Sequence, residues 1–262
     1  MHIKNCTSKE REGKKLKKTL FLSTIITMLL ASGFMSGQAK AELNLVSPVN
    51  QSVTKLNIDF GNYNGEIEKV KHTGCTGTVI SKDTVLTASH CLYKHDIAGK
   101  ATKVKITPGQ NKDEKPYGVF ESKDIIIHEG WLDQNTRWSY DIALIKVKPN
   151  KNNQHIGDVV PPVSMEKKDS NKKVGTQVSS VGYPGFKEEE EGVSQWGDVG
   201  KIIGSSKYFV ETDLETYPGQ SGGPLLNKDG HTLGVLSGPR EGKITYISIN
   251  DEIYNWIKAN MN

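Results

Sequence analysis

From residue 50 onward the chain is divided into short apolar runs rich in β-branched side chains, and this restricts the fold more than any other feature. The runs include Gly77-Thr78-Val79-Ile80, Thr84-Val85-Leu86-Thr87, Val104-Lys105-Ile106, Ile125-Ile126-Ile127 and Ile142 to Val147. Val178 to Val181, Leu233 to Leu236 and Ile244 to Ile249 continue the series, with Gly, Asn, Asp or Pro between runs. Segments this short read as strands, and their spacing predicts a barrel or sandwich. Helical period is convincing only at the end, where Ile253, Trp256 and Ile257 fall at i, i+3 and i+4 behind Asn250 or Asp251 as N-cap. The prediction is an all-β body with a C-terminal helix. Lys148 to Asn153, followed by Pro161-Pro162, reads as a crossover between two halves. Glu188 to Glu191 reads as a solvated loop rather than a metal site, because no EF-hand spacing surrounds it.

The first 41 residues have a different texture. A basic stretch leads into the apolar run Leu20 to Ala31, and small residues then lead to Ala39-Lys40-Ala41. These are the three parts of a secretory signal, with cleavage predicted after Ala41 and a secreted, extracellular product. The run is too short to span a bilayer, and no stretch of 18 apolar residues follows, so no stable membrane insertion is expected after signal removal. Residues 42–50 read as a short propeptide or N-terminal arm. Cys6 leaves with the signal, and the remaining pair, Cys75 and Cys91, is expected to form a disulfide in an oxidising compartment. The signal also accounts for the basic balance. Of 34 basic and 30 acidic residues, eight and two precede residue 42, leaving 26 and 28. No basic stripe remains, so nucleic acid is not an expected partner.

Three segments carry the chemistry. Thr87-Ala88-Ser89-His90-Cys91 follows a strand, Tyr140-Asp141 opens another, and Pro218-Gly219-Gln220-Ser221-Gly222-Gly223-Pro224 is a tight turn before Leu225-Leu226. A serine hydroxyl is a poor nucleophile until a base takes its proton, and imidazole is suited to that task near neutral pH. A buried carboxylate must then fix the imidazole tautomer, and backbone N–H groups must stabilise the oxyanion. The pattern assigns Ser221 as nucleophile, His90 as general acid and base, and Asp141 as its orienting carboxylate. Gly219 and Ser221 supply the N–H groups of the oxyanion hole.

From about Gly74 to the C-terminus the chain resembles the chymotrypsin-fold serine endopeptidases, in particular the secreted bacterial glutamyl endopeptidases and their exfoliative-toxin relatives. Besides the three segments, the likeness includes Gln154 to Val160, Val181-Gly182-Tyr183-Pro184-Gly185 and Val199-Gly200-Lys201-Ile202. The resemblance implies two six-stranded antiparallel β-barrels with the active site between them. The first, about 51–150, carries His90 and Asp141; the second, about 160–248, carries Ser221, and a helix at about 250–261 closes the 51–262 domain. Two departures stand out. Cys75 and Cys91 match a disulfide of animal enzymes that the bacterial glutamyl enzymes generally lack. Gln220 stands where animal enzymes carry an Asp that pairs with a freed amino terminus, and an amide cannot supply that charge.

The resemblance also places Glu215, Thr216 and Leu236 at the P1 pocket and Ser237 beside Asp141. Thr216 matches a carboxylate-binding Thr or Ser of the glutamyl enzymes, but Leu236 occupies the position of their pocket His and can donate nothing. Glu215 stands where trypsin-like enzymes put an acid for Lys or Arg. The expectation is therefore a secreted endopeptidase with a basic or acidic P1 preference, acting on protein or peptide as a monomer with no metal or cofactor. The alternative is a protease-fold toxin or binding protein whose activity is incidental or absent.

Overall fold

The computed structural model describes residues 43–46, 49–61, 72–95, 98–167 and 171–261. The expected export signal, 1–41, lies outside the described residues. A short strand β1 (Asn44–Leu45) precedes the first barrel, which comprises β2 (Val53–Asp59), β3 (His72–Val79), β4 (Thr84–Thr87), β7 (Lys103–Pro108), β8 (Phe120–Ile127) and β9 (Ala143–Val147). A small hairpin, β5 (Tyr93–Lys94) with β6 (Gly99–Lys100), lies between β4 and β7 in sequence. The barrel runs β2-β3-β4-β9-β8-β7 and closes where β7 returns to β2. β10 (Gln177–Gly182), β11 (Trp196–Ser205), β12 (Phe209–Thr212), β13 (Pro224–Leu226), β14 (Thr232–Arg240) and β15 (Lys243–Ser248) form the second barrel. It runs β11-β10-β13-β14-β15-β12, and β12 closes it against β11. All these pairings are antiparallel, and β1 adds to the start of β11 at Trp196 and Gly197. Asn44 and Leu45, within the segment expected to be a short propeptide or N-terminal arm, thus add a strand to the second barrel.

The burial pattern explains the apolar runs. In β7, Val104 and Ile106 are buried while Lys103 and Lys105 face solvent, the alternation of a one-sided strand. β9 reads as a nearly continuous apolar run because Ala143, Leu144 and Ile145 are all buried. Ile253 and Ile257 of the helix Asp251–Met261 join the same buried cluster. Asn250 caps that helix by accepting the Ile253 N–H at 2.9 Å, and Lys146 Nζ donates to the Met261 carbonyl at 2.6 Å at its other end.

One expectation fails. Glu188 to Glu191 belong to a helix, Gly185–Glu191, not a solvated loop. Gly192, with φ of 82°, ends it, and Lys187 pairs with Glu191 at 2.8 Å one turn away. Glu188 pairs with Lys55 of β2, a lysine that is almost completely buried. The helix gains its partners only in the folded barrel pair, which periodicity over seven residues does not register.

Cys75 of β3 is disulfide-bonded to Cys91 in the helical turn Ser89–Leu92. Closing a loop of this size is worth about 3 kcal/mol in the chain-entropy account. Replacing both cysteines by Ala is expected to lower the unfolding free energy by about that amount. Denaturant melts of the oxidised protein and the double variant check it; equal midpoints and slopes would contradict it.

Candidate active site

His90 is set by its turn and not by its own side chain. Ser89 Oγ donates to the Ile142 carbonyl at 2.6 Å, tying the turn to the chain just beyond Asp141. Asp141 is buried, at 1% exposure, and binds His90 twice. Its Oδ1 accepts the His90 backbone N–H at 2.8 Å, and its Oδ2 lies 2.7 Å from His90 Nδ1. Ser237 Oγ donates to the same Oδ2 at 2.6 Å. Ser237 falls where the β14–β15 register shifts, between Leu236 and Gly238, and shares with Val235 the face of β14 that points toward the first barrel. Burial alone would raise the Asp141 carboxyl. The charge of His90 and the hydrogen bonds from the His90 ring, Ser237 and the His90 N–H outweigh it and hold the group below the ordinary aspartate range.

Ser221 reaches this pair from the other barrel. Its carbonyl accepts the Thr76 N–H at 2.8 Å and lies 3.7 Å from Cys91 Sγ. The same sulfur is 3.9 Å from His90 Nε2, so the disulfide touches both segments. Gly222 makes the approach sterically feasible. A Cβ there would stand 2.1 Å from Thr87 Oγ1 and 2.3 Å from the Thr76 carbonyl, and its φ is +83°. Thr76 is the residue the sequence reading missed. Its hydroxyl donates to the Gly219 carbonyl at 2.9 Å and accepts the Tyr183 N–H at 3.0 Å. Its position immediately after Cys75 was the only available signal.

The turn itself is held by neutral groups. Gln220 is buried; its Oε1 accepts the Tyr217 N–H at 2.8 Å and its Nε2 donates to the Trp196 carbonyl at 3.1 Å. These bonds occupy the place where the animal enzymes use an ion pair. Gly219 has φ of +100°, and a Cβ would meet the Tyr183 carbonyl at 2.4 Å. Among the described residues, the Gly219 and Ser221 N–H groups make no backbone hydrogen bond of the kind that holds the neighbouring Gln220, Gly222 and Gly223 N–H groups.

The pocket residues divide. Glu215 is half-buried; its N–H donates to Asp198 at 2.9 Å, and its carboxylate accepts from the exposed Tyr217 hydroxyl at 3.3 Å. Thr216 is half-buried beside it. Leu236, expected to line the pocket, instead packs in the second-barrel core with Leu214, Leu225, Leu233 and Tyr246. Its side chain faces the opposite way from those of Val235 and Ser237, which point toward the first barrel, as the strand's alternation requires. Cys75, His90 and Cys91 bring potential metal-binding atoms within 4.8 Å of one another, but both sulfurs are spent in the disulfide and offer no thiolate.

Comparison with known proteins gives the family and the fold. The family described as Trypsin matches residues 59–257. The chain belongs to the trypsin family. Its relatives in this family include the glutamyl endopeptidase of Bacillus licheniformis, 32% identical over 197 residues, which cover 70% of this chain and 59% of that one. A glutamyl endopeptidase of Staphylococcus aureus strain MW2 is 30% identical over 188 residues, 71% of this chain and 53% of its own. The chain thus spans little more than half the length of these two relatives. A solved Glu endopeptidase superposes with a TM-score of 0.70 at 23% identity, covering 83% of this chain and 95% of the other. The protease Anisep from Arthrobacter nicotinovorans gives 0.67 at 22%, covering 83% and 98%. At those identities the superpositions speak for the trypsin fold.

The depressed Asp141 carboxyl gives this trypsin-family domain a signed pH dependence. A carboxylate favoured in the folded state adds stability above the unfolded aspartate pKa and loses it as pH falls through the lower, folded one. Stability is therefore expected to hold from neutral pH to about 5 and to fall below about pH 4. Ser237→Ala removes a hydrogen bond to a buried charge, and about 1–3 kcal/mol should be lost at pH 7. The deficit should shrink only as pH falls through the lowered folded value, where Asp141 takes up its proton. Urea melts of both proteins from pH 7 to about 2 measure this; a deficit independent of pH would exclude the charge as its cause.

Proposed function

We propose that this protein is a secreted serine endopeptidase that hydrolyses peptide bonds through an acyl-enzyme. The observation that carries the reading is the doubly bonded His90–Asp141 pair, meeting the Gly219–Ser221 turn across one disulfide sulfur. In this reading His90 Nε2 removes the Ser221 hydroxyl proton as Oγ attacks the substrate carbonyl. The Nδ1 hydrogen bond to Asp141 holds the tautomer that leaves Nε2 free and stabilises the imidazolium. The Gly219 and Ser221 N–H groups receive the oxyanion. His90 then passes the proton to the departing amine, and a water repeats the sequence to release the acid. Because Gln220 already fixes the turn, the site is preformed without a charge supplied by a newly freed amino terminus.

Ser221→Ala is expected to lower hydrolysis of casein by roughly four to six orders of magnitude and to abolish labelling by a fluorophosphonate probe. Equal labelling of the two proteins would refute the mechanism.

A charged P1 residue, basic or acidic, is what the pocket offers. Glu215 would pair with Lys or Arg, whereas Thr216 would donate to a carboxylate. The names of the glutamyl endopeptidase relatives favour the acid, and the carboxylate of Glu215 favours the base. Cleavage of a P1-randomised peptide library by the wild type and by Glu215→Gln decides between them. Loss of Lys and Arg cleavage in the variant assigns the basic preference. Retained or increased cleavage after Glu assigns the acidic one.

A further inference from the structure

Two adjoining cavities of about 300 and 310 Å³ share Lys55, Asn57, Lys105 and Glu188. Together they form a groove along β2 and β7, with the helix Gly185–Glu191 on the other side. One end reaches Thr73 and Gly74, immediately before disulfide-bonded Cys75. The helix starts against the nucleophile's turn: the Gly185 N–H donates to the Pro218 carbonyl at 2.8 Å, and the Phe186 and Tyr217 rings are 4.7 Å apart. The groove itself runs over the first barrel, from Thr73 and Gly74 beside the disulfide to Lys115 and Val119, and its helical wall is anchored to Pro218.

Its charge is distinctive. The Lys55 side chain is only 4% exposed, and a lysine so far from water needs an anion. Glu188 supplies it from a side chain that is 37% exposed at the groove surface. Lys105 lines both cavities, is exposed, and has no ion pair among the described residues. Lys103, at one end, is paired with Glu121, and Lys115 is exposed at the other. Asp59 is the second carboxylate of the groove, so its cations outnumber its anions.

The proposed reaction puts the acyl half of a substrate on the side of Glu215 and Thr216, the residues assigned to the P1 pocket, and of Ser237. There Trp138, Gly238, Pro239 and Arg240 help line a separate cavity of about 250 Å³. The leaving-group half must run the opposite way, past the disulfide and Thr73-Gly74. We propose that the lysine-lined groove is a subsite for an acidic substrate side chain two or three residues beyond the scissile bond. Lys55 and Lys105 are the cations that read it, and Glu188 is an internal carboxylate that it displaces. This inference rests on the endopeptidase reading and adds the substrate class to it.

The test uses quenched fluorescent peptides with one fixed acyl half and Glu, Gln or Lys at the second and third positions after the cleaved bond. For the wild type, kcat/KM with Glu should exceed that with Gln by roughly tenfold, as a charge-assisted contact implies. The ratio should shrink in 1 M NaCl, where the screening length is about 3 Å. Lys105→Ala, a change at an exposed site, should cut the ratio to about threefold or less, and Lys55→Met should abolish it. Glu188→Gln should increase it by removing the internal competitor. If Lys55→Met does not fold, Lys105→Ala and Glu188→Gln still decide the matter. Equal rates for Glu, Gln and Lys in the wild type, or an unchanged ratio in both of those variants, would overturn the subsite. No cleavage of any peptide would overturn the endopeptidase reading and this one with it.

Discussion

Everything in this molecule converges on one seam, where the Ser221-Gly222 turn of the second barrel presses against Thr76 and Thr87 of the first. The contact is closer than any side chain would allow at Gly222, and hydrogen bonds line it on both sides. Thr76 alone binds Ser221, Gly219 and Tyr183 of the second barrel and accepts from Thr87 of its own. A protein interior is close-packed, so a seam this tight leaves the two barrels little freedom to slide. The separation of His90 and Ser221 is thereby set by packing instead of by the two residues themselves.

Around that seam, charge is used sparingly, and two buried charges have partners beside them. Asp141 is surrounded by three donors, from the His90 ring, the His90 backbone and Ser237. Lys55 faces Glu188 across the barrels. The turn that presents Ser221 is held by the neutral amide of Gln220. This division has a physical logic. A neutral clamp needs no partner from outside the fold, whereas a carboxylate clamp at the same place would be a buried charge awaiting its cation. The disulfide adds a covalent limit on the His90 turn from the same side.

Much of the architecture was legible in the sequence because one-sided and buried strands leave plain traces. β4, β7, β9, β10, β14 and β15 all coincide with apolar runs. β2 left no such trace: Val53-Thr54-Lys55-Leu56-Asn57-Ile58-Asp59 contains a lysine that is buried only because Glu188 meets it. The helix at Gly185–Glu191 was hidden for the same reason, since its stabilising partner is 133 positions away. Leu236 was misread because family position does not reveal which way a residue beside a bulge points. Its neighbour Ser237 shares the face of Val235, which points toward the first barrel, and so reaches Asp141.

The sequence by itself determined the β-rich body, the C-terminal helix, the pair of cysteines able to join, and the three segments with the chemistry of a serine hydrolase. Those are properties of side-chain type and local spacing, which survive in one dimension. Only the tertiary structure decided that Thr76 is the hub of the seam, that Gln220 holds the Ser221 turn, and that Lys55 and Glu188 face each other beside it. Each involves at least one partner more than 20 positions away meeting at hydrogen-bond distance. No local pattern encodes such a meeting, because the free energy that selects it comes from closing two barrels against each other.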